Sequence, residues 1–108
     1  MQNENLNIKR IFADSELYID KRIEISGWVR NHRRQKAQGF MDFFDGSCFE
    51  SLQIVYGEEI SDIEAVRAIR NGSAVKAGGT LVRAPRGIEI RADRIELLGD
   101  CEEAYPLQ

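Results

Sequence analysis

Between Arg22 and Arg33 the apolar residues Ile23, Ile25 and Val29 fall on alternate positions with Gly27 between them, while Ser26, Trp28 and Arg30 take the other face. That period predicts a half-buried strand, and the glycine marks a place where it can bend. Phe40 to Asp45 predicts a second strand: with Met41 and Phe43 inward, Phe40, Asp42 and Phe44 point outward. Asp45-Gly46 supplies a turn before a third strand, in which Leu52, Ile54 and Tyr56 share the core face and Gln53 and Val55 face away. From Ile60 to Arg70 the period changes, with Ile60, Ile63, Val66 and Ile69 recurring every third residue, and the spacing predicts a helix stopped by Asn71-Gly72. Alternation returns at Val75, Ala77, Gly79 and Leu81, where the pair Gly78-Gly79 suggests a bulge or tight bend. A turn at Ala84-Pro85-Arg86-Gly87 leads into a last strand ending near Leu98, with Ile88, Ile90 and Ala92 on one face and Glu89 and Arg91 on the other. Ahead of all these, Ile8, Ile11 and Phe12 have helical spacing within Leu6 to Ala13 and predict a short helix or turn.

Three strands, one helix and two strands, with glycines at the bends, predict a mainly all-β fold with the element order of the five-stranded OB-fold β-barrel, whose helix lies between the third and fourth strands. Residues 1–20 read as an N-terminal extension, 21–100 as the barrel and 101–108 as the start of a linker. Such barrels bind oligonucleotides or oligosaccharides across their second and third strands, and the fold alone does not choose between them.

A chain of 108 residues, 43% apolar and 31% charged, is enough for one modest core and reads as globular. No apolar run is long enough to span a bilayer, and Met1 to Asn5 is polar with no hydrophobic signal region after it, so the expectation is a cytoplasmic protein with no membrane partner. Cys48 and Cys101 lack metal-ligand spacing and read as reduced structural thiols, and the lone His32 cannot complete a zinc set with them. The formal net charge of −3 is unlike that of most nucleic-acid-binding domains. Its distribution tells more: Arg30, Arg33, Arg34 and Lys36 cluster without an acid, whereas Glu58, Glu59, Asp62 and Glu64 crowd another segment and Asp100, Glu102 and Glu103 a third.

The cationic cluster runs directly into the aromatic second strand. Positive charge beside aromatic faces can hold the phosphates of single-stranded nucleic acid while its bases stack. By alternation Phe40, Gln53 and Glu89 share the outer face with this charge, giving a stacking ring, an amide able to pair with a base edge and a carboxylate acceptor. No nucleophile elbow, phosphate-cradling loop with its lysine or histidine-containing triad is present, so the expectation for this stretch is a binding module without catalytic residues or cofactor of its own.

Gly27-Trp28-Val29-Arg30, Gly39-Phe40, Asp45-Gly46-Ser47-Cys48-Phe49, Leu52-Gln53-Ile54-Val55, Gly72-Ser73, Ile95 to Gly99 and Tyr105-Pro106-Leu107 together resemble the N-terminal anticodon-binding domain of asparaginyl-tRNA synthetases, over about Ile19 to Gln108. The resemblance implies that Phe40 stacks on a central anticodon uridine, that Gln53 contacts its edge and that Arg33 lies near the anticodon backbone. It places Glu89 near the third anticodon base, with Arg83 a weaker candidate. It further implies that tRNA(Asn) and a catalytic domain following the linker are the partners. ATP and magnesium would be bound by that domain, and the parent would be a homodimer. The equivalent domain of an aspartyl-type synthetase is the alternative, as is an OB barrel used for protein contact; the Gly-Ser-Cys-Phe wording of the turn after Asp45 favours the asparaginyl reading.

Overall fold

The computed structural model describes residues 6–85 and 87–99. Strands β1 (Arg22–Arg34), β2 (Gln38–Phe44), β3 (Leu52–Gly57), β4 (Ala74–Ala84) and β5 (Gly87–Gly99) close into a barrel in the order β1-β2-β3-β5-β4. β3 and β5 form the parallel pair that completes the closure. The fold is the OB barrel that the order of the elements predicts. Alternation fills its interior: Val29, Met41, Phe43, Leu52, Ile54, Val75, Ala77, Leu81 and Ile90 are fully buried. Residues 101–108, with Cys101, Glu102, Glu103 and Tyr105-Pro106-Leu107, lie outside the described residues, as do Arg86 and Asp100.

Two irregularities shape the barrel. In β1, Val29 pairs with Phe43 and Asn31 with Asp42, which leaves Arg30 as an extra residue. Its insertion reverses the alternation, so that Val29 and His32 both point inward and Arg33 points out beside Phe40. In β5, Gly78 pairs with Arg94 and Gly79 with Ala92, so the bulge expected at the glycine pair has its extra residue, Asp93, on the opposite strand. A Cβ on Gly79 would lie 2.2 Å from the Arg91 carbonyl oxygen, which is why this side of the bulge carries no side chain. Arg22 grips Asp93 with two hydrogen bonds, Nε to Oδ2 at 3.0 Å and Nη2 to Oδ1 at 2.7 Å, and this holds the Asp93 carboxyl below its ordinary value.

The short helix foreseen at the N-terminus forms as α1 (Ile8–Ala13), followed by a single turn, α2 (Ser15–Tyr18). Asn7 caps α1 by accepting from the Arg10 backbone N–H at 2.8 Å. Ile8 and Ile11 are fully buried among the barrel residues, each contributing about 1.5–3 kcal/mol by burial. The segment preceding the barrel therefore shares its core. The Asp45-Gly46-Ser47 turn does more than reverse the chain: Asp45 Oδ2 accepts from the Ile8 N–H at 3.0 Å and Ser47 Oγ from the Lys9 N–H at 3.0 Å.

The helix predicted from Ile60 to Arg70 is much shorter, α3 spanning only Ile63–Arg67. Asp62 sits in the left-handed region at φ 57°, and the Ile60 N–H bonds back to the Gly57 carbonyl, so the approach to α3 is a series of turns. Ile60, Val66 and Ile69 are buried as their spacing indicates. An every-third-residue repeat is also what tight turns on a core surface produce, so it reported the buried side correctly and the helix length wrongly. Gly72, at φ 91°, ends the segment as expected.

Candidate nucleic-acid interface

Cross-strand register sets one row of outward side chains. Asn31 faces Asp42, Asp42 faces Gln53 and Gln53 faces Glu89, while in the adjoining row Arg33 faces Phe40 and Phe40 faces Val55. The Arg33 guanidinium lies over the Phe40 ring, 5.7 Å from its centroid, and donates to Asp42 Oδ2 at 3.1 Å and to Gln53 Oε1 at 3.3 Å. Gln53 Nε2 in turn donates to Glu89 Oε1 at 3.0 Å, and Arg91 Nε stands 3.9 Å from Glu89 Oε2. Glu89 is on the outer face, as alternation requires, yet only 9% of it is exposed because Gln53 and Arg91 lie against it.

This chain of contacts fixes the Gln53 amide. Arg33 can only donate, so the amide oxygen faces Arg33 and the NH2 is left to donate to the Glu89 carboxyl oxygen. One lone pair and one N–H remain for a ligand. The open groove around them has a volume of about 650 Å³ and is lined by Arg33, Gln35 and Phe40 together with Ser51, Gln53 and Glu89. Phe12 of α1, Ala84, Pro85 and Ile88 supply its apolar remainder. Within the site, the sequence does not single out Phe12, Gln35, Ser51, Ala84, Pro85 or Ile88 as binding residues. Phe12 carried a signal, as the one aromatic member of its helical stripe.

The other sequence-derived candidates are dispersed. Arg30, the bulge residue, is exposed and stacks its guanidinium 4.5 Å from the Phe44 centroid, next to the tilted Trp28–Phe44 pair. Lys36 is exposed in the turn between β1 and β2. Arg34 turns to α3, where Nε donates to the Arg67 carbonyl and Nη2 to the Ile69 carbonyl at 2.8 Å. Arg83 is not among the residues lining this groove and lies 3.8 Å from Glu16 of α2. Only Arg33, Phe40, Gln53 and Glu89 line one groove.

Behind the groove, His32 is buried between Tyr56 and Ile69. The Ile69 carbonyl only accepts, so the 2.8 Å contact requires the proton on Nδ1, and Nε2 accepts from the Tyr56 hydroxyl at 2.8 Å. Burial pushes the imidazole below its ordinary value of 6.5; the Ile69 hydrogen bond opposes this, and the positive charges of Arg34 and Arg67 add to it. Burial pushes the Tyr56 phenol the other way, upward.

A second groove, about 640 Å³, runs between α3 and β5. Asp62, Asp93 and Glu96 line it against Arg94, a balance that repels phosphate. Among the described residues no group of three or more His, Cys, Asp or Glu could hold a metal ion, Cys48 is a free thiol, and no helix is long and apolar enough to cross a membrane.

A closed five-stranded barrel whose β2–β3–β5 face presents cation, ring, amide and carboxylate side by side is a nucleic-acid-binding OB domain in form, and its sequence agrees. Residues 23–98 match the family model described as OB-fold nucleic acid binding domain, and the chain belongs to that family. Within it, the chain is 39% identical to an asparagine–tRNA ligase of Acholeplasma laidlawii over 96% of its own length, and 37% identical to that of Desulfitobacterium hafniense over 97%. It spans 23% of the length of each of these relatives. The asparaginyl-tRNA synthetase of Pyrococcus horikoshii, solved with asparaginyl-adenylate, superposes with a TM-score of 0.78 at 18% identity, over 94% of this chain and 24% of that one. The resemblance drawn from the sequence motifs is thus to the family that these relatives represent.

Proposed function

We propose that this chain is the anticodon-binding part of an asparagine–tRNA ligase and that its β2–β3–β5 face holds the anticodon loop of tRNA(Asn). The observation that carries the reading is the orientation of the Gln53 amide. Uracil presents an N3–H donor flanked by carbonyl acceptors, so the amide oxygen can accept from N3–H while its NH2 donates to the neighbouring carbonyl. Cytosine held in the same pose would set its N3 acceptor against the amide oxygen and its C4 amino group against the NH2, and Arg33 together with Glu89 resists the amide reversal that would relieve this. Phe40 provides the face on which the central base stacks, and Arg33 lies where it can meet the adjoining phosphate.

The chain's quarter of the ligase length leaves the aminoacylation chemistry to the remainder. In this proposal the catalytic domain that follows binds ATP and magnesium, the complete enzyme is a cytoplasmic homodimer, and this module orients the tRNA so that its acceptor end reaches the distant active site. Identity of 37–39% to asparagine–tRNA ligases favours the asparaginyl over the aspartyl assignment.

Titration of anticodon stem-loops at fixed salt tests the reading. A hairpin with a central uridine is expected to bind more tightly than its cytidine counterpart by about 1–3 kcal/mol. Equal affinities would remove Gln53 from base reading, and no binding of either hairpin would leave the barrel as a protein-contact module.

A further inference from the structure

The groove contains a second aromatic ring that no strand supplies. Phe12 lies one turn beyond Ile8 on α1, half-buried, packed against the core and lining the same groove as Phe40. Its position is set from three directions: Ile8 and Ile11 are fully buried in the barrel, Asn7 caps the helix, and Asp45 and Ser47 accept from the first N–H groups of α1. A ring that served only as core would be covered by the barrel as Ile8 and Ile11 are. Phe12 instead meets Pro85 and Ile88 in lining the apolar part of a groove whose other part is charged and hydrogen-bonding.

We propose that Phe12 forms a second base subsite, taking an unstacked nucleobase of the same RNA loop other than the one stacked on Phe40. The inference rests on the anticodon-loop reading above and assigns a role to the N-terminal helix, which that reading does not use. The ligand class is a single-stranded ribonucleotide whose base lies flat on the ring, a contact that tolerates any base because each has a π-face. The helix thereby joins the binding surface as well as the core, so the recognition unit begins before the barrel.

The test pairs side-chain and base deletions on the full chain. Stem-loops carrying an abasic site at each loop position in turn are titrated against the unaltered protein, Phe12→Ala, Phe12→Leu and Phe40→Ala. Phe12→Leu keeps an apolar side chain against the core but removes the flat ring, so it guards against a loss that only reflects unfolding. Both Phe12 variants are expected to weaken the intact stem-loop roughly five- to a hundredfold. The same variants should cause no further loss with the stem-loop abasic at one particular position. That position should differ from the one that silences Phe40→Ala. Equal weakening with every abasic stem-loop, or an unchanged affinity for the intact one, would overturn the subsite while leaving the central-base reading in place. Absence of any binding by the unaltered chain would overturn both.

Discussion

Gln53 and Glu89 sit directly opposite each other across the parallel β3–β5 pair, and the Gln53 amide donates to the Glu89 carboxylate at 3.0 Å. These two strands are far apart in the chain and meet only because the barrel closes. The pair turns a surface glutamine, whose amide would otherwise rotate freely, into a group of fixed polarity. Glu89→Gln should therefore relax the choice between uridine and cytidine hairpins, removing most of a difference of about 1–3 kcal/mol while uridine binding itself falls less. Competition titrations with the two hairpins measure this ratio, and an unchanged ratio would show that Glu89 does not set the amide.

Phe40 is half-buried on the outer face of β2, whereas its neighbours Met41 and Phe43 are fully buried in the barrel. Phe40→Ala is expected to cost about 1–3 kcal/mol of RNA binding. The same change should lower folding stability far less than the roughly 3–5 kcal/mol typical of a buried phenylalanine. Denaturant melts and hairpin titrations on one preparation separate the two quantities.

The cationic cluster divides by its partners. Arg30 and Arg33 stack on aromatic rings of the outer face, whereas Arg34 is committed to the Arg67 and Ile69 carbonyls. Replacing Arg30 and Arg33 by glutamine should shallow the salt dependence of RNA binding by roughly 0.7 in log–log slope for each single-strand phosphate that is no longer neutralised. Arg34→Gln should lower the melting temperature and leave that slope nearly unchanged. A slope that drops equally for all three would place Arg34 on the phosphates.

Gly39 lies under the Tyr56 ring so closely that a Cβ there would be 2.2 Å from it. Gly39→Ala should destabilise the fold by about 1–3 kcal/mol or more, since neither the buried ring nor the β2 backbone has room to move. Thermal unfolding of the variant checks this; a neutral outcome would mean the ring can swing aside.

His32 is the one histidine of the chain, and its buried imidazole titrates below 6.5. As pH falls through 6.5 the unfolded chain takes up a proton that the folded protein resists, so stability present at pH 7 and above is lost on acidification. The loss is at most about 1.4 kcal/mol per pH unit for one proton. His32→Gln should melt with little pH dependence between about 6.5 and 5, and retention of the full slope by this variant would assign it to other groups.

The alternation of apolar residues sufficed to specify the five strands, their inner faces and the outward direction of Phe40, Gln53 and Glu89, because a strand's side-chain period is two wherever the ladder is regular. It also located the N-terminal helix from the spacing of Ile8, Ile11 and Phe12. What it could not specify follows from places where that regularity breaks or where distant segments meet. Strict alternation from Ile23 would send Arg33 into the core beside Val29; the extra residue Arg30 reverses the phase and delivers Arg33 to Phe40 and Gln53. A bulge is an agreement between two paired strands about register, so no single strand encodes it. The separation of Arg34 from Arg33, the polarity of the Gln53 amide and the arrival of Phe12 in the groove all depend on packing against α3, β5 and the barrel core. Those neighbours come together only after closure, and they decide which of the candidate residues become a site.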